Sequence, residues 1–393
     1  MTDAEPQRVA ATRVTDRRAR LAVTIAFGTQ ALPFASWTAH IPAVAADLGL
    51  DNAALGTALL GAPVGSVLSM PLTGRLLPRV GSPILVRIAI VGYLLACCGI
   101  GLAGGTVTLF LALALCGFFQ GSLGVAMNTQ GVTIERSMSR PIMSGFHGAW
   151  SIGALGGAMI GSAAVAAGVG LLPQLMIMAA VLLVLNAAVT RSLIDDRDAG
   201  PRTHQRRGRS WSPMILLLGG IATACMLCEG AAADWSAKYL RDSLHADPGV
   251  AGLAYAAYAA VMVVVRLSGG WVLSRRPVRT VLPVLALVAT LGMTAALVIG
   301  TPAVAIIGFA LLGAGVAAVV PAAFTAAGRL SASNAGTAIA TVSALGWAGF
   351  MIGPPAIGHL AQATTLTIAL AVIPILTAAV AAAIRFSPAF RGQ

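Results

Sequence analysis

The sequence predicts an all-α membrane protein with twelve transmembrane helices in two pseudo-symmetric halves of six. Three observations carry this. Of 393 residues, 58% are hydrophobic and only 10% are charged, whereas soluble domains carry about a quarter charged residues. The apolar residues gather into runs long enough to cross a hydrocarbon layer of about 30 Å, which takes roughly 20 residues per helix. The runs fall into two sets of six, separated by the longest polar stretch after the N terminus.

The first set occupies about 21–45, 53–74, 83–103, 106–130, 142–168 and 170–191. The second occupies about 213–235, 249–272, 280–300, 302–327, 334–360 and 364–385. Charges, Pro or Gly bound each run. Residues 1–20 are polar and Arg-rich and are expected to be a cytoplasmic tail. The apolar run after them is too long for a signal-peptide core and has no cleavage site. Residues 193–212 hold Asp195-Asp196-Arg197-Asp198 and Arg206-Arg207-Gly208-Arg209 and read as a cytoplasmic linker. The expected domains are therefore a bundle over 21–192, a bundle over 213–386 and a short cytoplasmic tail over 387–393.

The net charge is +12. Its basic residues sit in short loops between apolar runs rather than in one patch, so no nucleic-acid partner is expected. Arg75 and Arg79, Arg136 and Arg140, the linker cluster, Arg275, Arg276 and Arg279, and Arg329 fall in alternate loops, and the opposite loops hold only Lys238 and Arg241. Basic residues are retained on the cytoplasmic side, which puts both termini there. The bilayer is the expected partner and a monomer the expected state. All five cysteines lie in apolar runs. Cys225 and Cys228 form a CxxC, but with no second pair and no His cluster they read as packing residues. No metal or cofactor is expected. With no P-loop, no zinc-type His/Glu spacing and no clustered nucleophile and base, an ATP-driven pump or a membrane enzyme lacks its equipment. A membrane sensor or scaffold would need an output domain, and the linker is too short for one.

The halves resemble each other at an offset of roughly 190 residues. Gly121, Gly124 and Asn128 of the fourth run correspond to Gly313, Gly315 and Pro321 of the tenth; Gly153, Gly157 and Gly161 of the fifth correspond to Gly349, Gly353 and Gly358 of the eleventh. Small residues at this spacing let helix backbones approach closely. Two six-helix halves around a cavity are the plan of alternating-access carriers.

Over nearly the whole chain this pattern resembles the major facilitator superfamily. The family's signature between the second and third spans, Gly-x-x-x-Asp-Arg-x-Gly, is matched in part by Gly74-Arg75-Leu76-Leu77-Pro78-Arg79-Val80-Gly81, with Pro78 in place of the acid. The second-half stretch Arg266-Leu267-Ser268-Gly269-Gly270, with Arg275 and Arg276, also keeps basic residues and lacks the acid. Three further stretches resemble the fucose-permease-like branch and its bacterial relatives: Trp37-Thr38-Ala39-His40-Ile41-Pro42, Gly121 to Asn128, and Phe146-His147-Gly148-Ala149-Trp150-Ser151-Ile152-Gly153. The resemblance implies Asn128, His147 and Trp150 as cavity residues, and Trp37 and Thr38 join them as substrate-cavity candidates. The branch's proton-coupling carboxylates would fall on Thr38 and Gly124, neither of which titrates, so sugar-type proton symport is not implied. What is implied is a secondary active or facilitative carrier of a small organic solute in a bacterial inner membrane, with proton coupling open. Export of hydrophobic compounds is the alternative within the fold.

Ionisable groups at membrane depth are costly and face a cavity or a partner. Glu229, Asp234 and His40 are the proton-coupling candidates. Glu229 lies about four turns into its run and reads either as a coupling or substrate group or as the partner of Lys238 or a helix end. Asp234 reads as a coupling group or as a solvated helix end beside Trp235 and Lys238. His147 has the titration range of a proton switch, or else it is a neutral ring bonded to a carbonyl. His40 precedes Ile41-Pro42, where a bend is expected. The gating candidates are Arg75, Arg79, Glu135, Arg136, Pro354 and Pro355. Glu135 and Arg136 read as an inter-loop ion pair, and Gly353-Pro354-Pro355 as a helix-breaking hinge. A cysteine introduced at Ala246 is expected to react with an impermeant reagent added outside, and one at Thr203 is not; the reverse pattern would overturn the topology.

Overall fold

The computed structural model describes residues 4–138, 142–196, 212–330 and 335–390. Residues 197–211 of the expected linker, with Thr203, lie outside the described residues, as do Arg140 and residues 391–393. The first span is α1 (Ala4–Thr38) and α2 (Ile41–Asp47), and the second is α3 (Asn52–Leu59) and α4 (Gly61–Val80). Single helices make the next four: α5 (Ser82–Ile100), α6 (Thr106–Met138), α7 (Met143–Ala166) and α8 (Leu171–Val189). Beyond the linker come α9 (Pro213–Lys238), α10 (Pro248–Ala251) with α11 (Leu253–Leu273), and α12 (Val278–Ile299). Then follow α13 (Pro302–Val316) with α14 (Val319–Leu330), α15 (Ala335–Ala363), and α16 (Leu366–Leu370) with α17 (Val372–Phe386). No strand occurs among the described residues.

Among the described residues, 11 spans are long and apolar enough to cross a membrane. The twelfth, α1, is long enough but dilutes its apolar run with Thr29, Gln30, Ser36 and Thr38, all of them buried. It also begins at Ala4, so a helix runs through the segment that reads as a tail.

Among the described residues five spans are broken; the break at Gly252 between α10 and α11 has no proline after it, and each of the other four lies four residues ahead of one. α1 ends at Thr38 before Pro42, α3 at Leu59 before Pro63, α13 gives way at Ala317 before Pro321, and α16 ends at Leu370 before Pro374. Proline has no N–H for the carbonyl four residues back, and its ring collides with that carbonyl. The bend expected at His40 is the first of these breaks. By contrast α15 continues as one helix through Pro354 and Pro355. The missing N–H groups there leave the Phe350 and Met351 carbonyls without their helical donors but do not end the helix.

The chain divides into two compact units: Met1–Ala35, Gly61–Gly157 and Gly170–Arg202 in the first, and Ser36–Leu60, Ala158–Val169 and Thr203–Gln393 in the second. Within the first, α7 lies so close on α1 that a Cβ added at Gly153 would stand 2.0 Å from the Gly28 carbonyl oxygen. A Cβ at Gly65 would stand 1.8 Å from the Ala114 oxygen, locking α4 on α6, and α5 packs on α6 and α8. Within the second, α15 lies on α9 with Gly349 against the Thr223 carbonyl, α11 lies on α13 with Gly313 against the Tyr258 carbonyl, and α12 packs on α13 and α17. The pairings recur in the same chain order, and Gly153 and Gly349, equated from sequence, serve the same contact.

Ala246 is buried and its neighbour Asp247 is exposed, so Asp247 is the position at which outside labelling is to be read. The glycine contacts generate a second expectation. Gly153→Ala drives a methyl into backbone and should destabilise the protein by about 1–3 kcal/mol. Gly220→Ala, with nothing within 4 Å of the new methyl, should be neutral or stabilising by up to about 1 kcal/mol. Thermal unfolding of the detergent-solubilised variants distinguishes the two.

Candidate transport site

In the first unit the polar residues of α1 are tied to neighbouring helices. Gln30 Nε2 donates to the Gln120 carbonyl at 3.0 Å, and Tyr93 Oη donates to the Gln30 carbonyl at 2.9 Å. Asn186 Nδ2 donates to Thr29 Oγ1 at 3.2 Å. Phe27 stacks on Phe146 at 5.7 Å and meets the His147 ring edge-on at 5.4 Å. His147 is exposed, and Trp150, one residue short of a full turn further along α7, is half-buried. Asn128 is half-buried and donates to the Gly124 carbonyl of its own helix at 2.8 Å.

Trp37, Thr38 and His40 belong to the second unit, where all three are buried. The cavity candidates are thus divided between the units: Asn128, His147 and Trp150 in one, Trp37 and Thr38 in the other.

The second unit also holds the intramembrane charges. Glu229 and Asp234, five residues apart on α9, are half-buried. Arg266 of α11 lies within electrostatic reach of Glu229. Tyr255 and Tyr258, buried and stacked at 5.7 Å, feel both charges, and Tyr255 feels Asp234 as well. Among the described residues the Tyr258 hydroxyl and the Trp235 indole N–H have no hydrogen-bond partner. Arg266 Nε donates to the Ala317 carbonyl at 3.4 Å, the very carbonyl that Pro321 cannot serve. Lys238 pairs with Asp242, one turn along, and so is not the partner of Glu229 or Asp234. The tyrosine pair is the part of this cluster that sequence reading missed. Its signal is available: two of the chain's 4 tyrosines sit three apart in an Ala-rich span, a spacing that puts both on one helix face.

The gating candidates take other roles locally. Gly74 to Val80 is the last part of α4 rather than a loop, and Arg75 and Arg79 are exposed on it. Gly81 alone makes the turn into α5, at φ 82°, which a side chain would strain. The inter-loop ion pair read at Glu135 and Arg136 is replaced by a cap: Glu135 Oε2 accepts from the backbone N–H groups of Ile142 at 2.8 Å and Met143 at 3.0 Å, at the start of α7. Consecutive helix residues do not face each other, and Arg136 is exposed with no ion pair among the described residues.

Comparison with known proteins fixes the family. The chain is 34% identical over 371 residues to an uncharacterised MFS-type transporter of Yersinia pestis, covering 93% of this chain and 95% of the relative. The chain belongs to the major facilitator superfamily. The superfamily's sequence profile matches residues 217–391, and membrane protein MosC of Rhizobium meliloti is 32% identical over 88% of this chain and 84% of its own length. Among solved structures, the nucleoside transporter NupG aligns with a TM-score of 0.76 at 15% identity, over 94% of this chain and 100% of that one. A D-xylose-proton symporter aligns with a TM-score of 0.74 at 12% identity, over 96% and 99%. This superfamily member is a multi-pass membrane transporter and not an enzyme.

Two carboxylate-accepted N–H groups at a helix start are worth about 1 kcal/mol. Glu135→Ala should lower stability by that amount in thermal unfolding, while Arg136→Ala should stay within about 0.5 kcal/mol of the parent.

Proposed function

We propose that this transporter carries a small polar solute across the bacterial inner membrane by alternating access, with both termini in the cytoplasm and with proton coupling at Glu229. The observation that supports the reading best is the cluster of Glu229, Asp234, Arg266, Tyr255 and Tyr258 on α9 and α11. A buried hydroxyl without a partner costs about 1–3 kcal/mol. A solute or water oxygen beside Tyr258 removes that cost, which favours a cargo rich in hydroxyl or carbonyl groups.

Coupling requires a group that binds a proton with different affinity in the two access states. Burial first and the nearness of Arg266 second bear on whether the Glu229 carboxyl holds its proton, and a shift of α11 against α9 changes both. Arg266 is held by the Ala317 carbonyl at the α13 break, so movement at that break passes to the pair. The similar structures include a nucleoside transporter and a D-xylose-proton symporter, so nucleosides and pentoses are the first solutes to try.

In proteoliposomes with an imposed pH gradient, Glu229→Gln should abolish accumulation of the solute and leave solute exchange within about threefold of the parent. His147→Gln should raise the KM about tenfold, the worth of one hydrogen bond of roughly 1.4 kcal/mol, with coupling intact. Concentrative uptake by the Glu229→Gln protein would sink the coupling assignment. Outward movement of hydrophobic compounds with no response to polar solutes would replace the proposed cargo class.

A further inference from the structure

The first unit carries a groove of about 580 Å³ between α5 and α8, away from every residue assigned above to transport. Arg87, Ile90 and Val91 form the α5 side, and Leu183, Thr190 and Arg191 belong to the α8 side. The two helices are antiparallel neighbours. Arg87 is in the second turn of α5 and Arg191 lies just past the end of α8, so both guanidinium groups sit at the same end of the pair, where a span meets the membrane surface.

Below the mouth the walls are apolar except for Asn186, whose amide donates to Thr29 Oγ1 and to the Leu182 carbonyl, and the surroundings of the groove are apolar. Ile88 is 56% exposed, Val181 61% and Val184 75%, and on a multi-pass protein such side chains face acyl chains. The mouth is cationic and built. Arg87 Nη2 donates to the Thr190 carbonyl at 2.8 Å, which fixes that guanidinium against the end of α8 and leaves most of its five N–H donors unused. Arg191 is exposed with no hydrogen bond or ion pair among the described residues. Two described acids follow Arg191 at this end: Asp196 is already engaged, accepting from the Ser82 N–H at 2.8 Å and from the Ser82 hydroxyl at 2.7 Å, and Asp195 is exposed.

We propose that this groove is a binding site for an anionic phospholipid. Its phosphate bridges Arg87 and Arg191, and an acyl chain descends between Ile90, Val91 and Leu183. Charge and depth together select this occupant. Two guanidinium groups match the bidentate geometry of a phosphate, basic pockets between spans at the cytoplasmic face hold acidic headgroups, and the apolar floor suits a chain that no soluble phosphate possesses. The inference needs only the membrane embedding of the chain; the proposed orientation decides the leaflet, and the coupling at Glu229 is independent of it.

The test uses the purified full-length carrier in a nonionic detergent, with phosphatidylglycerol or phosphatidylcholine added, read by native mass spectrometry and by thermal unfolding. Phosphatidylglycerol should remain bound and raise the melting temperature, and phosphatidylcholine should do neither. Arg191→Gln should weaken phosphatidylglycerol binding about fivefold, the worth of one basic residue at a membrane surface, and Arg276→Gln, at an exposed arginine of the other unit, should leave it unchanged. Arg87→Gln with Arg191→Gln should abolish selectivity; because Arg87 also caps α8, the single Arg191→Gln protein is the deciding variant. Equal retention of the two lipids, full phosphatidylglycerol binding by Arg191→Gln, or the same arginine-dependent stabilisation by water-soluble glycerol phosphate would each overturn the proposal.

Discussion

A peptide group without a hydrogen-bond partner in hydrocarbon costs several kcal/mol. In this chain that cost falls on spans crowded with proline and glycine, and the architecture follows from how the cost is met. Helices satisfy most groups internally. Some prolines that remove a donor end the helix four residues earlier, as at Thr38, Leu59 and Leu370, whereas α1, α4, α12 and α15 run on through Pro33, Pro71, Pro78, Pro283, Pro354 and Pro355. At Ala317 a side chain takes over, since Arg266 donates to that carbonyl. A residue that would otherwise be an unaccountable cation in the membrane is thereby fastened to a helix break.

The same solvent removes the ordinary reason for helices to associate, since lipid tails are as apolar as leucine. Close backbone approach supplies the attraction instead. The contacts of Gly153 with Gly28 and of Gly349 with Thr223 leave less than a methyl group's space, so dispersion acts over the full length of the paired helices. The glycines needed for this recur in both halves, and each unit therefore assembles its helices in the same pairs.

The spans, their pairing into repeats and the isolated acids were legible in the sequence, because hydropathy, glycine spacing and rare charges are local properties. The proline at position 42 announced its break, whereas Pro354-Pro355 announced one that α15 does not make; whether a helix survives missing donors depends on its neighbours, and here α15 is packed along α9 and α3. Partners were the illegible part. Lys238 chose Asp242 over the two deeper acids, and Glu135 chose two backbone N–H groups over an arginine, since each choice rests on where chain ends and turns arrive in space. Tyr255 and Tyr258 went unremarked because an aromatic pair in a span reads as packing until charges are found beside it.

Arginine placement repeats as faithfully as glycine placement, and for a related reason. Arg87, near the start of α5, donates to the Thr190 carbonyl at the end of α8. Arg279, near the start of α12, donates to the Arg385 carbonyl at the end of α17, 2.5 Å away. These are the same helices of the two repeats. The last carbonyls of a helix have no helical donors and carry the negative end of its dipole, so a cation there is stabilised twice, by the hydrogen bond and by the field. Arg266 at the end of α13 obeys the same rule at membrane depth rather than at its surface. An arginine so held costs the membrane less than a free one, which is how a chain this apolar keeps cations beside its acids at all. The Glu229 carboxyl therefore has within electrostatic reach a cation that a hydrogen bond ties to the backbone at a helix break.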